Sequence, residues 1–485
     1  MIDVVAGVDS STQSCTVELR EVSTGVLVGT GRAAHPVTHP PVSEQHPDAW
    51  WRALVDALAE SRRGHDVRVV GISVGAQCHG LVAMDGAGEV IRPAKLWNDT
   101  TSGPQAAALL ERHPAHWWAE QIGIVPSAAI TISKLAWLAE HEPEVLEQVR
   151  HLAVPHDWLT YRLTGNHVTD RSDASGTGYF SADTMRWRTD ILDEIIGERD
   201  WAPLLPDVLA PDAAAGTLTA EAAAELGLDQ DVIVSAGGGD QHLAAQGIGL
   251  RTGDIAYSLG TSGVVFATTP DAVKDPSGAI DGVANVTGGY LPLVCTLNAT
   301  KVTDTIARLL AVEHAELGRL ALAAPLTADR PLLAAYLDGE RSPRLPGANG
   351  LLAGITSATT REQLALAAFE GVVLGLLRGE RALAAQGIAL TGRTIVVGGG
   401  ARSDAYRQII ADFTGRSVCT VDAPEGTARG AAVQAAAVVR GEAVTAVTEA
   451  WAPEITSVTE PRADRSDIWN RYLRLADLQA DGSSF

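Results

Sequence analysis

Two aspartates stand where a carboxylate could meet a reactive group. Asp9 ends an apolar run and opens the hydroxyl-rich turn DSSTQS, residues 9–14. Asp240 follows three glycines in GGGDQH, after the short apolar run DVIVSA and before LAAQGIGL, which has helical composition. Two further turns of this kind are LGTSG, 259–263, and GGGARS, 398–403. Such turns expose several backbone N–H groups at once, an array that suits phosphate oxygens. Glycine is needed where the backbone must approach a ligand or adopt positive φ. Any one of them could be a tight connection and nothing more; four at strand ends argue for a ligand. Phosphoryl transfer asks two things of carboxylates: one holds Mg2+, and one accepts the proton of an attacking hydroxyl. The bland alternative for each aspartate is a turn cap.

A nucleotide would have to be held without a P-loop. The chain has only four lysines, Lys95, Lys134, Lys274 and Lys301, and none follows a GxxxxG. Backbone amides with Mg2+ are the available substitute. GAQCHG, 75–80, puts Gln77 and His79 at the end of VRVVGISV, where they could hydrogen-bond a polar ligand; a structural histidine is the alternative. WND, 97–99, offers an indole face for a sugar ring, or else a core tryptophan beside a turn. GISVG, 71–75, has the letters of a hydrolase elbow, but that motif needs a helix directly after the serine, and GAQCHGLVAM reads as turn and strand. TIVVGGGARSDAYRQIIADF, with Asp422 beyond it, looks like a dinucleotide-binding unit. Ser403 replaces its third glycine and no second half follows, so an NAD-linked oxidoreductase is the weaker rival.

These residues need elements to carry them. Residues 2–32 read as a β-meander, 47–62 as a helix, 67–74 as a strand and 133–150 as helical. Residues 254–269 repeat the layout of 3–20, with Thr261 falling opposite Thr12. A helix over 361–386, a strand over 394–399 and a helix over SDAYRQIIADFTG follow; the Ala-rich GAAVQAAAVV reads as helix filler. The repeat predicts two similar domains, 1–248 and 249–485, meeting near QGIGLRTG. A length of 485 residues fits two large cores, and 46% apolar residues can fill them. A net charge of −22 offers no basic face to a nucleic acid. Cys15, Cys78, Cys295 and Cys419 show no CxxC or zinc spacing, as expected of a reduced, cytoplasmic protein. Neither a signal peptide nor a membrane-spanning run is expected.

Taken in order, these motifs resemble the FGGY family of carbohydrate kinases, and within it the xylulose kinase branch. SEQHPDAWW, GAQCHG, IRPAKLWND, TISKLAWLAEHEPE, PHDWLTYRLTG, SDASGTGYF, GGGDQ, SLGTSGVVF, LDGERSPR and VVGGGARSDAYRQIIADFTG match the family's series through nearly the whole chain. The resemblance implies an α/β protein of two ribonuclease-H-like domains, of the actin and hexokinase ATPase type, with an interdomain cleft. It implies ATP and Mg2+ as cofactors, and transfer of the γ-phosphoryl group to a sugar, with D-xylulose as the leading acceptor and ribulose, glycerol or gluconate as alternatives. It makes Asp240 the catalytic base and puts Asp9 at the phosphate and metal, with Asp240 as the second metal neighbour. Gln77, Cys78, His79 and Gln241 fall on the sugar side with Asp240. Thr12, Gly260, Thr261 and Ser262 fall in the phosphate turns, and Gly399, Gly400 and Ala401 at the adenosine. The implied partners are a small sugar and ATP, with no nucleic acid and no membrane; a homodimer stays open. Three departures bear on this. Ser11 and Ser14 replace glycines of the first turn, Cys78 stands where xylulose kinases commonly have Met, and Gln241 where they often have Asn. The last two leave the reaction class in place and open the sugar's identity. A sugar sensor that has lost catalysis is the other rival, and retention of both Asp9 and Asp240 speaks against it.

Overall fold

The computed structural model describes residues 1–478. It is built on two sheets. In the first, β1 (Ile2–Ser10), β2 (Ser14–Glu21) and β3 (Leu27–Ala34) form an antiparallel meander. Helix α1 (Asp48–Ser61) then lays Trp50, Leu54, Ala57 and Leu58 against it, at helical spacing, with Pro47 just before the first turn. β4 (Val67–Ala76) returns parallel to β1. These two central strands read as nearly unbroken apolar runs because both faces are covered. Helix α2 (Pro155–Thr164) and the short α3 (Arg171–Ser175) lie between β4 and the rest of the sheet. β5 (Ala214–Thr217), β6 (Ile233–Ser235) and the two-residue β7 (Gly238–Gly239) complete it, in the order β5-β6-β4-β1-β2-β3 with β7 also on β4.

After α4 (Asp240–Gly247) the pattern restarts. β8 (Ile255–Leu259), β9 (Gly263–Ala267) and β10 (Leu293–Thr296) make a second meander. Helix α5 (Arg361–Ala385), strand β11 (Thr394–Val397), helix α6 (Asp404–Thr414), strand β12 (Val418–Val421), helix α7 (Gly426–Arg440) and strand β13 (Ile455–Thr459) follow. The order β10-β9-β8-β11-β12-β13 has the same sequence of antiparallel and parallel pairings as the first sheet; the first four strands follow the same chain order, and the last two are reversed, since β5 precedes β6 in the chain. A meander of this kind is not a doubly wound dinucleotide sheet, which removes the oxidoreductase reading of residues 394–422. The helical stretch expected at 133–150 is two helices, Thr131–His141 and Pro143–Gln148, broken at Glu142 because the residue before a proline is pushed out of the helical region. Among the described residues no helix is long and apolar enough to cross a membrane.

Packing does not follow chain order. α7 comes from the second half, yet it is buried from Ala428 to Ala437 and packs on the first sheet, with Val5 of β1 in the same cluster. Ala245 of α4 and Ile248, just after it, join the apolar cluster that contains Ala256, Phe266 and Ile395 of the second sheet. α4 and α7 cross backbone to backbone. A Cβ on Gly247 would collide with Gly426 O, and one on Gly430 with Leu243 O, so only glycine fits at either crossing point.

Candidate active site

Register alone gathers the expected residues. β1 and β4 run parallel with Asp9 beside Gly75 and Ser10 beside Ala76. β7 pairs with the same Gly75 and Ala76 from the other side. Asp9, the Gln77–His79 segment and Asp240 therefore leave three neighbouring strands at one edge of the first sheet. That edge lies outside the carboxyl ends of parallel strands, where sites form in open α/β sheets.

Asp240 is the first residue of α4, with Gly239 as its N-cap. Its carboxylate accepts the Gln241 N–H at 2.7 Å and the Cys78 thiol at 3.5 Å. Burial pushes its pKa up to about 6, against the pull of those two donors and with the Asp173 charge adding to the rise. Asp9 accepts the Ser11 hydroxyl at 2.6 Å. Burial carries it up to about 7; Ser11 opposes the rise and the like charge of Asp240 adds to it. The glycines make this approach possible. Gly237 has φ of 77°, and a Cβ on Gly239 would stand 2.5 Å from the Cys78 sulfur. Gly237 is also bracketed by the buried Gln434 of α7, whose amide accepts its N–H at 2.9 Å and donates to its carbonyl at 3.1 Å.

Two half-buried acids in electrostatic contact mark a place short of positive charge, which fits a divalent cation. Among the described residues no group of three or more His, Cys, Asp or Glu side chains could hold a metal ion. A Mg2+ held by Asp9 and Asp240 would take its other ligands from phosphate oxygens and water, as this ion usually does.

The residues expected on the sugar side are polar. Gln77 is buried and neither end of its amide has a partner. An unpaired buried polar group costs about 1–3 kcal/mol, so its partners are expected to arrive with a ligand. His79 has φ of 64°, and its Nδ1 lies 2.8 Å from Gly176 O. A carbonyl only accepts, so Nδ1 carries the proton and Nε2 is an acceptor. Burial, with the Lys134 and Arg341 charges, brings the ring down to about 3 and keeps it neutral. Trp97 is exposed and its indole N–H donates to Thr12 Oγ1 at 2.8 Å, joining the WND segment to the first turn.

In the second half, a cavity of about 850 Å3 opens at the ends of β8 and β11. Gly260, Thr261, Gly399 and Gly400 line it, together with Thr303, Leu317 and Tyr406. Thr300 N–H donates to Gly260 O and fixes the turn. Two expected residues do not line the cavity: Ser262 is exposed beside it, and Ala401 turns back with its N–H on Gly398 O. Sequence reasoning missed Thr303, Leu317 and Tyr406, which come from helices of ordinary amphipathic pattern. It also missed Gln434, hidden in what read as filler.

Comparison with known proteins places the chain in a family. Residues 4–247 match the N-terminal domain of the FGGY family of carbohydrate kinases, and residues 255–439 match its C-terminal domain. The chain belongs to that family. It is 42% identical to a xylulose kinase of Streptomyces rubiginosus, covering 90% of this chain and 88% of that one. A xylulose kinase of Streptomyces coelicolor is 41% identical over the same shares. The crystal structure of xylulose kinase from Bifidobacterium adolescentis superposes with a TM-score of 0.87 at 36% identity, covering 98% of this chain and 99% of that one. The fold is thus the two-lobed α/β architecture of these kinases, and ATP is the phosphoryl donor the family uses.

Proposed function

We propose that this chain transfers the γ-phosphoryl group of ATP to D-xylulose, giving D-xylulose 5-phosphate, with Asp240 as the general base. The observation that carries this is the strand-end cluster itself. A carboxylate with a raised pKa stands beside an unpaired buried amide and a neutral imidazole, in a chain 42% identical to a xylulose kinase. Gln77, Cys78, His79 and Gln241 hold the sugar so that its 5-hydroxyl faces Asp240. Asp240 takes the hydroxyl proton, the oxygen attacks the γ-phosphorus, and the bond to the β–γ bridging oxygen breaks to release ADP. A bound Mg2+ would neutralise phosphate charge between Asp9 and Asp240. Thr12 and the turn Gly260–Ser262 offer hydrogen bonds to phosphate oxygens, while Gly399, Gly400 and Ala401 lie toward the adenosine. Alignment supplies much of the rate, since effective molarities reach roughly 10⁵–10⁸ M.

In this reading residues 1–248 hold the sugar and 249–485 the nucleotide, the last seven residues lying outside the described ones. The four unpaired cysteines fit a cytoplasmic protein. A coupled ATP-consumption screen over ketopentoses, polyols and aldonates tests the assignment. D-xylulose is expected to lead it; a strong preference for gluconate or glycerol would overturn the sugar and keep the reaction.

A further inference from the structure

α3 has no part in the chemistry above, yet it touches both sides of the site. Asp170 caps it, accepting the Ser172 and Asp173 N–H groups at 2.7 and 2.9 Å. At its start, Ser172 Oγ accepts the Gly239 N–H at 3.3 Å, one residue before Asp240. At its end, Gly176 O accepts the His79 ring N–H at 2.8 Å, and a Cβ on Gly176 would stand 2.6 Å from that ring. Asp173 lies between these two holds. Its carboxylate meets His156 Nδ1 at 2.8 Å, and His156, in the first turn of α2, is completely buried. The other ring nitrogen lies 3.2 Å from an Asp157 oxygen and 3.8 Å from an Asp170 oxygen.

We propose that His156, acting through Asp173, is a positioning residue for phosphorylation: its ring anchors α3, and α3 sets both the sugar-facing imidazole of His79 and the strand that delivers Asp240. The proposal rests on the assignment of Asp240 and His79 made above. His156 touches neither of them; its ring also lies against Gly237, where an added Cβ would stand 2.9 Å from Cδ2, so it bears on the approach to Asp240 directly as well as through α3.

Charge is the reason a histidine stands there. Three carboxylates converge on one buried point, where burial pushes Asp157 up to about 7 and raises Asp173 as well, and a cation among them favours their charged, hydrogen-bonding forms. Burial alone would lower the His156 pKa; the Asp157 charge, the hydrogen bond to Asp173 and the charges of Asp173 and Asp170 lift it to about 9. The other titratable groups facing this point are His242 of α4, which burial brings down to about 4; Tyr179 and Cys78, which burial holds protonated; Asp240, which feels the Asp173 charge; and Arg171, which feels the Asp170 charge. Of these only Arg171 is a cation, and its guanidinium donates to Gly289 O, so His156 is the cation in hydrogen-bond range of Asp173.

The test compares His156→Gln, which keeps a hydrogen-bonding side chain without the charge, with His156→Lys, which keeps the charge. Steady-state kinetics of the full chain with D-xylulose and ATP are measured beside calorimetry of D-xylulose binding without ATP. The expected result for His156→Gln is weaker sugar binding and a lower kcat, together a loss of about 10²-fold in kcat/KM, the penalty typical of an ångström-scale misplacement. The KM for ATP stays unchanged, and His156→Lys recovers most of the loss. Wild-type kinetics in folded His156→Gln would overturn the proposal, as would a loss that Lys does not recover and that falls equally on ATP. If His156→Gln does not fold, Ser172→Ala carries the same test, because it removes only the hydroxyl that holds Gly239. A lower kcat at an unchanged melting temperature supports the proposal, and wild-type kinetics overturn it. The reaction assignment fails separately: an active Asp240→Asn variant removes the base and leaves the kinetics of the His156 pair to be read on their own.

Discussion

The two sheets share one pattern of parallel and antiparallel pairings, and what stands at their strand ends differs completely. The first sheet ends in polar and acidic side chains: Asp9, Gln77, Cys78, His79 and Asp240. The second ends in glycines and hydroxyls, Gly260, Thr261, Gly399 and Gly400, around a cavity of about 850 Å3. In the proposed reading one pattern of pairings serves two tasks. One edge would carry groups that select and activate a hydroxyl. The other relies on backbone and open space, as suits a ligand recognised by shape and by N–H groups. Fold fixes where a site can lie, and the residues at the strand ends decide what it does.

That contrast can be broken from either side. The largest effect is expected from Asp240→Asn, which removes the carboxylate proposed to take the sugar proton. Turnover in the coupled assay should fall by about 10²–10⁴ or more, with ATP binding retained in titration calorimetry. Substantial residual activity would show that the first edge does not do the chemistry. Filling the second edge should act the other way. A Cβ on Gly399 meets nothing within 4 Å, yet the residue lines the cavity, so Gly399→Val is tolerated by the fold and intrudes on the ligand. Its KM for ATP should rise about tenfold while sugar binding holds, as expected when uniform binding is lost.

A pH series comes next. Asp240, with its pKa raised to about 6, must be ionised to accept a proton. Activity is present above that pH and should fall about tenfold per unit below it. A kcat/KM profile for the sugar that stays flat to pH 4.5 would contradict this. The smallest effect is expected from Trp97→Phe, which keeps the aromatic face and loses the hydrogen bond to Thr12. One such bond is worth about 1 kcal/mol, so the sugar KM should rise about fivefold.

Much of this was legible in the chain. Asp9 and Asp240 were visible because each combines a strand end with an unusual turn, and parallel register then brings them together. The duplicated meander was visible because hairpins leave a local pattern of alternating residues and turn formers. Three features were not. Gln434 lies far along the chain from the glycine it brackets, and nothing local marks an alanine-rich helix as buried on all sides. Thr303 and Tyr406 line the cavity from helices whose periodicity reports burial and not function. His156 sat inside a motif matched for its resemblance, and its three acidic neighbours converge only on folding.

The exchange of α4 and α7 has a consequence for how the protein can be taken apart. A cut after residue 248 would leave an N-terminal piece whose sheet lacks the cover of Ala432–Ala437, and a C-terminal piece without Ala245 and Ile248. Each fragment expressed alone would present a greasy, unroofed surface and precipitate. Produced together they should dock and restore turnover, which makes this junction a natural place for a split-enzyme reporter.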